Sequence, residues 1–75
     1  MGQRLCKFGD DCWRVFDVHP RRPAVLDPAL QNGWLCFERG VERRRHAPIP
    51  RDWSSLTDLE LAQLWERARP VPLRP

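Results

Sequence analysis

Three cysteines, two histidines and a run of arginines are the residues of this 75-residue chain whose types could do chemistry. Cys6, Cys12 and Cys36, with His19 or His46, would be the donor set of a structural zinc site. Such sites present cysteines in close pairs on tight knuckles, with two to four residues between them. Here five residues separate Cys6 from Cys12, and Cys36 lies on a different segment. Each cysteine sits in an apolar, strand-like run, so the spacing predicts small buried hydrophobes rather than ligands. A cysteine nucleophile needs an adjacent base and an oriented site. His19 stands before Pro20 in a loop and His46 ends an arginine-rich segment, so neither is placed beside a particular cysteine. Asp10-Asp11 reads as turn chemistry rather than as a carboxylate pair. The chain has no glycine-rich phosphate loop and no His-Glu zinc-protease pattern. A chain this short buries only roughly 60–65% of its unfolded surface, which leaves little depth for a catalytic cleft. The expectation is a protein that is not an enzyme and holds no cofactor and no metal.

The arginine-rich segment is the main functional candidate. Arg39 precedes Gly40, and Val41 to Ala47 returns as Val-Glu-Arg-Arg-Arg-His-Ala. Arg39, Arg43 and Arg45 alternate along it, and Arg44 and His46 fall on the opposite phase. Three consecutive arginines on a strand cannot all point into a core. A basic β-ribbon can enter a nucleic-acid groove, and exposed aromatics nearby would add base stacking. Charge also guards edge strands against aggregation, and charge patterning does not choose between the two. The net charge is +3, and twelve of the thirteen basic residues are arginine, Lys7 being the exception. Arginine makes planar bidentate contacts with phosphates and carboxylates, although a GC-rich genome inflates it without any such role. Trp53 stands outside any periodic element. It reads either as a plug between sheet and helix, which a small core favours, or as an anchor for a partner.

The elements that must position these residues follow from pattern. Arg4 to Phe8 and Cys12 to Val18 read as two strands joined by Gly9-Asp10-Asp11. In the second strand Trp13 and Val15 share one face, and Cys12, Arg14, Phe16 and Val18 share the other. Pro20, Pro23 and Pro28 break the sheet between His19 and Gly33. Within that stretch Asp27-Pro28 to Gly33 resembles one helical turn, with Asp27 as N-cap and Gly33 closing the end. Trp34 to Glu38 is a third strand and Val41 to Ala47 a fourth, stopped by Pro48-Ile49-Pro50. Thr57-Asp58-Leu59-Glu60 is a capping box, flanked by Leu56 and Leu61 as a hydrophobic staple. Leu61, Leu64, Trp65 and Ala68 form one apolar helical stripe, and Arg67 and Arg69 suit the negative end of the helix dipole. Pro70 stops the helix. The fold class expected is α+β: a small four-stranded, mostly antiparallel sheet of two hairpins, with one C-terminal helix packed on one face. Residues 1–69 form the single domain and residues 70–75 a proline-rich tail.

From Trp34-Leu35-Cys36-Phe37-Glu38, through Glu42 to Arg45, Pro48-Ile49-Pro50 and Trp53, to the helix ending Ala68-Arg69, the chain resembles a group of short bacterial proteins. Members share a strand, an arginine-rich return strand, a Pro-Ile-Pro-x-x-Trp turn and a terminal helix. The likeness covers about half of the chain and implies a compact bacterial domain; it carries no activity.

No apolar run approaches the ~20 residues that span a bilayer. Met1 to Phe8 lacks the apolar stretch of a secretory signal, which with the odd cysteine count predicts a cytoplasmic protein that does not engage a membrane. Two functions remain. The first is a protein-binding accessory or regulatory module that docks on a larger bacterial assembly. The alternative is a nucleic-acid-binding domain that uses residues 39–46. Arg39, Arg43, Arg44, Arg45, His46 and Trp53 are the partner-binding candidates in either case. Asp10, Asp11, Asp17, Glu38 and Glu42 dilute any basic surface, which favours the protein partner. The protein is expected to purify folded without zinc and to keep its thermal midpoint in a strong chelator. A stoichiometric zinc signal with unfolding on chelation would overturn this reading of the cysteines.

Overall fold

A computed structural model describes residues 2–21 and 28–71. The elements are β1 (Gln3–Phe8), β2 (Asp11–Val18), β3 (Trp34–Arg39), β4 (Glu42–His46), α1 (Asp58–Arg67) and β5 (Arg69–Pro70). The strands lie side by side in chain order, and every neighbouring pair is antiparallel. The α+β class and the antiparallel sheet with one helix are as the sequence predicts, but the sheet has five strands rather than four. The fifth was hidden by its own composition: two residues, one of them a proline, carry no strand pattern. Proline cannot donate to a ladder, and an edge strand is where that omission is tolerated. Arg69 pairs with Arg45 and Pro70 with Arg44, and the Val71 N–H donates to the Arg43 carbonyl at 2.8 Å. Pro70 therefore belongs to the sheet, Val71 is bonded to the neighbouring strand just beyond it, and residues 72–75 lie outside the described part.

Two-residue turns join β1 to β2 and β3 to β4. Gly9 and Gly40 open them with φ of 67° and 56°, the left-handed backbone that such hairpins require and that glycine adopts without strain. Between β2 and β3 a 3-10 turn at Pro28–Leu30 matches the expected helical turn; its expected N-cap, Asp27, lies outside the described residues. Gly33 closes this connection by donating its N–H to the Leu30 carbonyl at 3.0 Å. A Cβ at Gly33 would stand 2.5 Å from the Val18 carbonyl oxygen and 2.9 Å from Ile49 Cδ1, at a φ of +95°.

The start of α1 is a complete capping box. The Glu60 N–H donates to Thr57 Oγ1 at 3.1 Å, and the Thr57 N–H donates to Glu60 Oε1 at 2.9 Å. The helix ends at Arg67, two residues earlier than its charge pattern suggests; Pro70 disfavours the helical region for Arg69 before it, and the chain leaves the helix one residue sooner still. Ala68 is already extended, with φ −67° and ψ 146°, and Arg69 enters β5.

One face of the sheet supplies Cys6, Phe8, Trp13, Val15, Leu35 and Phe37 to the core. Leu61 of α1, Ala68 just beyond its end and Trp53 from a 3-10 turn close over them. Leu64 and Trp65 are half-buried against the same cluster. The rings interlock: Phe8 lies 5.4 Å from Trp65, Trp13 lies 5.5 Å from Trp65 edge-on, and Phe8 lies 6.1 Å from Phe37. Arg4 adds a polar clamp. From β1 it donates to the carbonyls of Ser54 (3.3 Å) and Leu56, and to Asp58 Oδ1 at 2.8 Å, which fastens the first strand to the start of α1. Thr57→Ala is expected to cost about 1 kcal/mol through loss of the cap. Leu61→Ala should cost about 2–5 kcal/mol because the side chain is fully buried. Denaturant melts measure both, and equal, negligible losses would mean that the helix does not pack on the sheet.

Candidate binding face

The pleat divides the arginine run. Successive side chains of a strand leave on opposite faces, so Arg44 and His46 turn toward α1 while Arg43 and Arg45 turn away. The register fixes this, since Arg44 and His46 lie opposite the buried Phe37 and Leu35, and Arg43 and Arg45 lie opposite Glu38 and Cys36. Arg44 is part of the packing. Its guanidinium lies 4.3 Å from the Trp65 ring centre and 5.8 Å from that of Trp13. It also donates to the Trp65 carbonyl at 3.0 Å, which accepts the Ala68 N–H of the helix cap at 3.2 Å as well. Arg39 is also on the helix side, over the Trp13 ring at 5.5 Å, paired with Asp11 at 2.7 Å and with Glu42. Burial, and then the charge of Arg67, hold the His46 imidazole below its ordinary pKa. Trp53 is 7% exposed within the core cluster, the plug of the two roles considered for it. Of the six candidates, then, only Arg43 and Arg45 reach the open face of the sheet.

That face carries more than sequence order reveals. Lys7 on β1, Arg14 on β2 and Arg69 on β5 share it with Arg43 and Arg45, as the pairings Lys7–Cys12, Arg14–Glu38 and Arg45–Arg69 require. Among them sits one carboxylate, Glu38. It pairs with Arg14 through Oε1 and with Arg43 Nε through Oε2 at 2.8 Å, and its side chain is 16% exposed. Two aromatic rings, Phe16 and Trp34, lie on the same face, both half-buried. The Arg14 guanidinium stands over Phe16 at 4.9 Å and that of Arg45 over Trp34 at 5.8 Å. Cys36, 6% exposed, sits opposite Phe16 and Arg45 and forms part of the floor. Desolvation, and next the charge of Glu38, push its thiol pKa up. Leu5, 72% exposed, completes the apolar part of the face beside Arg14.

The four other acidic residues that dilute the basic ones along the sequence are elsewhere. Asp10 is in the first turn, Asp11 and Glu42 hold Arg39, and Asp17 bonds to His19 Nε2 at 2.8 Å. That bond holds the Asp17 carboxyl below its usual pKa. The cysteines are dispersed too. Cys6 is buried beneath the helix, Cys36 lies on the opposite face, and Cys12 is exposed, which corrects its expected burial. Cys12 falls on the open-face phase with Arg14, so no helix covers it. Among the described residues no group of three or more His, Cys, Asp or Glu could hold a metal ion, and no helix is long and apolar enough to cross a membrane. The sequence signal for the missed residues was the shared phase of Arg14 and Phe16 on β2. Strand register, which brings them beside Arg43 and Arg45, was not readable.

Arg44 and Arg45 are adjacent in sequence and opposite in consequence. Arg44→Ser should cost about 1.5–3 kcal/mol, since it removes a charged hydrogen bond to a helix-end carbonyl. Arg45→Ser should stay within about 0.5 kcal/mol of the parent, as surface substitutions do. Denaturant midpoints decide the matter, and equal effects would contradict the division of the run.

Comparison with known proteins returned no matching family model, no similar curated protein and no similar solved structure, so the reading of this face rests on its own residues.

Proposed function

We propose that this chain is a non-enzymatic binding module that takes an anionic macromolecule onto the open face of its sheet. The observation that carries the reading is charge segregation: among the described residues five cations and one carboxylate share that face, in a chain whose whole excess is +3. Five acidic residues dilute the basic ones along the sequence, but four of them lie in a turn or in pairs away from this face. Potentials of one sign over a continuous surface attract and steer partners of the other sign. A binding role rather than a catalytic one is supported by the dispersal of the nucleophile- and base-type side chains. Cys6 and Cys36 are on opposite faces, and His46 is on the helix side.

A protein partner, with the chain as an accessory docked on a larger bacterial assembly, is the second reading. Leu5 favours it, because a large exposed aliphatic side chain beside Arg14, on a face that also carries Phe16 and Trp34, resembles the mix found at protein interfaces. The test compares two double variants with equal loss of charge. Arg45→Ser with Arg69→Ser alters the face, whereas Arg51→Ser with Arg67→Ser removes two exposed cations outside the sheet. In capture experiments from host extract, with and without nuclease, the first pair is expected to lose the partner and the second to keep it. Retention by both pairs would remove this face from the function.

A further inference from the structure

Resting on the reading of the open face as a binding surface, we infer that its occupant is single-stranded nucleic acid. The strand lies flat across the sheet, with bases splayed onto Phe16 and Trp34 and phosphates on Lys7, Arg45 and Arg69. Three observations lead there.

The first is the distribution of free charge. Glu38 engages Arg14 and Arg43 with its two oxygens. Among the described residues Lys7, Arg45 and Arg69 pair with no carboxylate. They stand on the two flanks of the sheet, Lys7 on β1 and the two arginines on β4 and β5. A polyanion crossing the strands meets a cation on each side of the aromatic centre.

The second is the aromatic centre itself. Phe16 lies opposite Cys36 and Trp34 lies opposite Val18, so the two rings are diagonal neighbours, roughly 7–8 Å apart. Neighbouring bases stacked on each other at about 3.4 Å could not each use one ring. Bases unstacked and splayed can, and that is how single strands are read on aromatic and guanidinium planes. Each ring already has a guanidinium against it, at 4.9 Å for Phe16 and 5.8 Å for Trp34, so a base stacks on the outer plane of the guanidinium or takes its place on the ring. An acidic peptide would match the arginines but has no planar rings to set against Phe16 and Trp34.

The third is shape. β3 is paired with β2 and β4 with β5, so the arginine hairpin is not a free ribbon. Five strands at ~4.8 Å spacing make a face roughly 19 Å across, wider than the ~12 Å major groove. This replaces groove entry by the hairpin with a single strand lying on the open face.

The test is fluorescence anisotropy with three labelled probes: an oligo-uridine of about 12 nucleotides, a duplex of the same length, and a poly-glutamate peptide. The single strand should bind most tightly. Its log affinity should fall against log salt with a slope of about −2, as three phosphate contacts predict. Arg45→Ser with Arg69→Ser should flatten that slope by about 1.4. Phe16→Leu and Trp34→Leu keep apolar bulk on the sheet, and each should weaken binding about 5- to 100-fold with the slope unchanged. If a leucine variant lowers the thermal midpoint, wild-type tryptophan emission gives the same test. Trp34 is the one tryptophan on this face, so the oligonucleotide should quench it, and unquenched emission would overturn the inference. Duplex or poly-glutamate binding as tight as the single strand, or leucine variants without effect, would also overturn it. If the paired arginine variant still loses probe binding in those cases, the anionic-partner reading stands without the nucleic acid. Failure of all three probes at low salt defeats the inference, and the capture experiment then judges the docking reading separately.

Discussion

Successive side chains of a strand leave on opposite faces, and in this five-stranded sheet a helix covers only one of them. Everything else is arranged around that constraint. On the covered face the alternation places Trp13, Val15, Leu35 and Phe37 in the core. On the other face it places Arg14, Phe16, Trp34 and Arg45 where solvent or a partner can reach them. One slip of register would exchange the two sets. The register is held by the two-residue turns at Gly9 and Gly40 and by the fit of the large rings under α1.

Arginine does two jobs in this protein, and the face decides which. Arg44 and Arg39 use the flat guanidinium as packing material over Trp13 and Trp65, with the polar edge satisfied by a helix-end carbonyl or by carboxylates. Lysine could not replace them well, because its compact, strongly hydrated ammonium does not stack. Arg45 and Arg69 keep their charge uncompensated by any carboxylate among the described residues. A basic run that looks uniform in sequence is thus half structural cement and half surface.

The legible parts of the fold were those with local chemistry. The capping box at Thr57 and Glu60 and the alternation from Cys12 to Val18 each involve residues close in sequence, so their meaning survives without the fold. β5 was not legible, because two residues ending in proline carry no period and pair only where β4 offers an edge. The binding face was half legible. The shared phase of Arg43 and Arg45 could be read from the chain, but their alignment with Arg14 and Phe16 depends on β2–β3–β4 register, which is a tertiary fact. Arg44 shows the converse: its phase opposite to Arg43 and Arg45 could be read from the chain, but only the position of Trp65 explains its half-buried site.

The strands are neighbours in space in the same order as in the chain, and two of the four pairs, β1–β2 and β3–β4, close through two-residue turns. Sequence-local pairing of this kind is associated with rapid folding. The first strand also makes contacts of the opposite kind. Arg4 reaches Ser54, Leu56 and Asp58 across separations of 50, 52 and 54 residues. A growing chain can pair β1 with β2 as soon as both have emerged, but it cannot clamp β1 until the segment from Ser54 to Asp58 has been made. The Arg4 clamp is therefore a late event, which fastens an early strand to a later helix start.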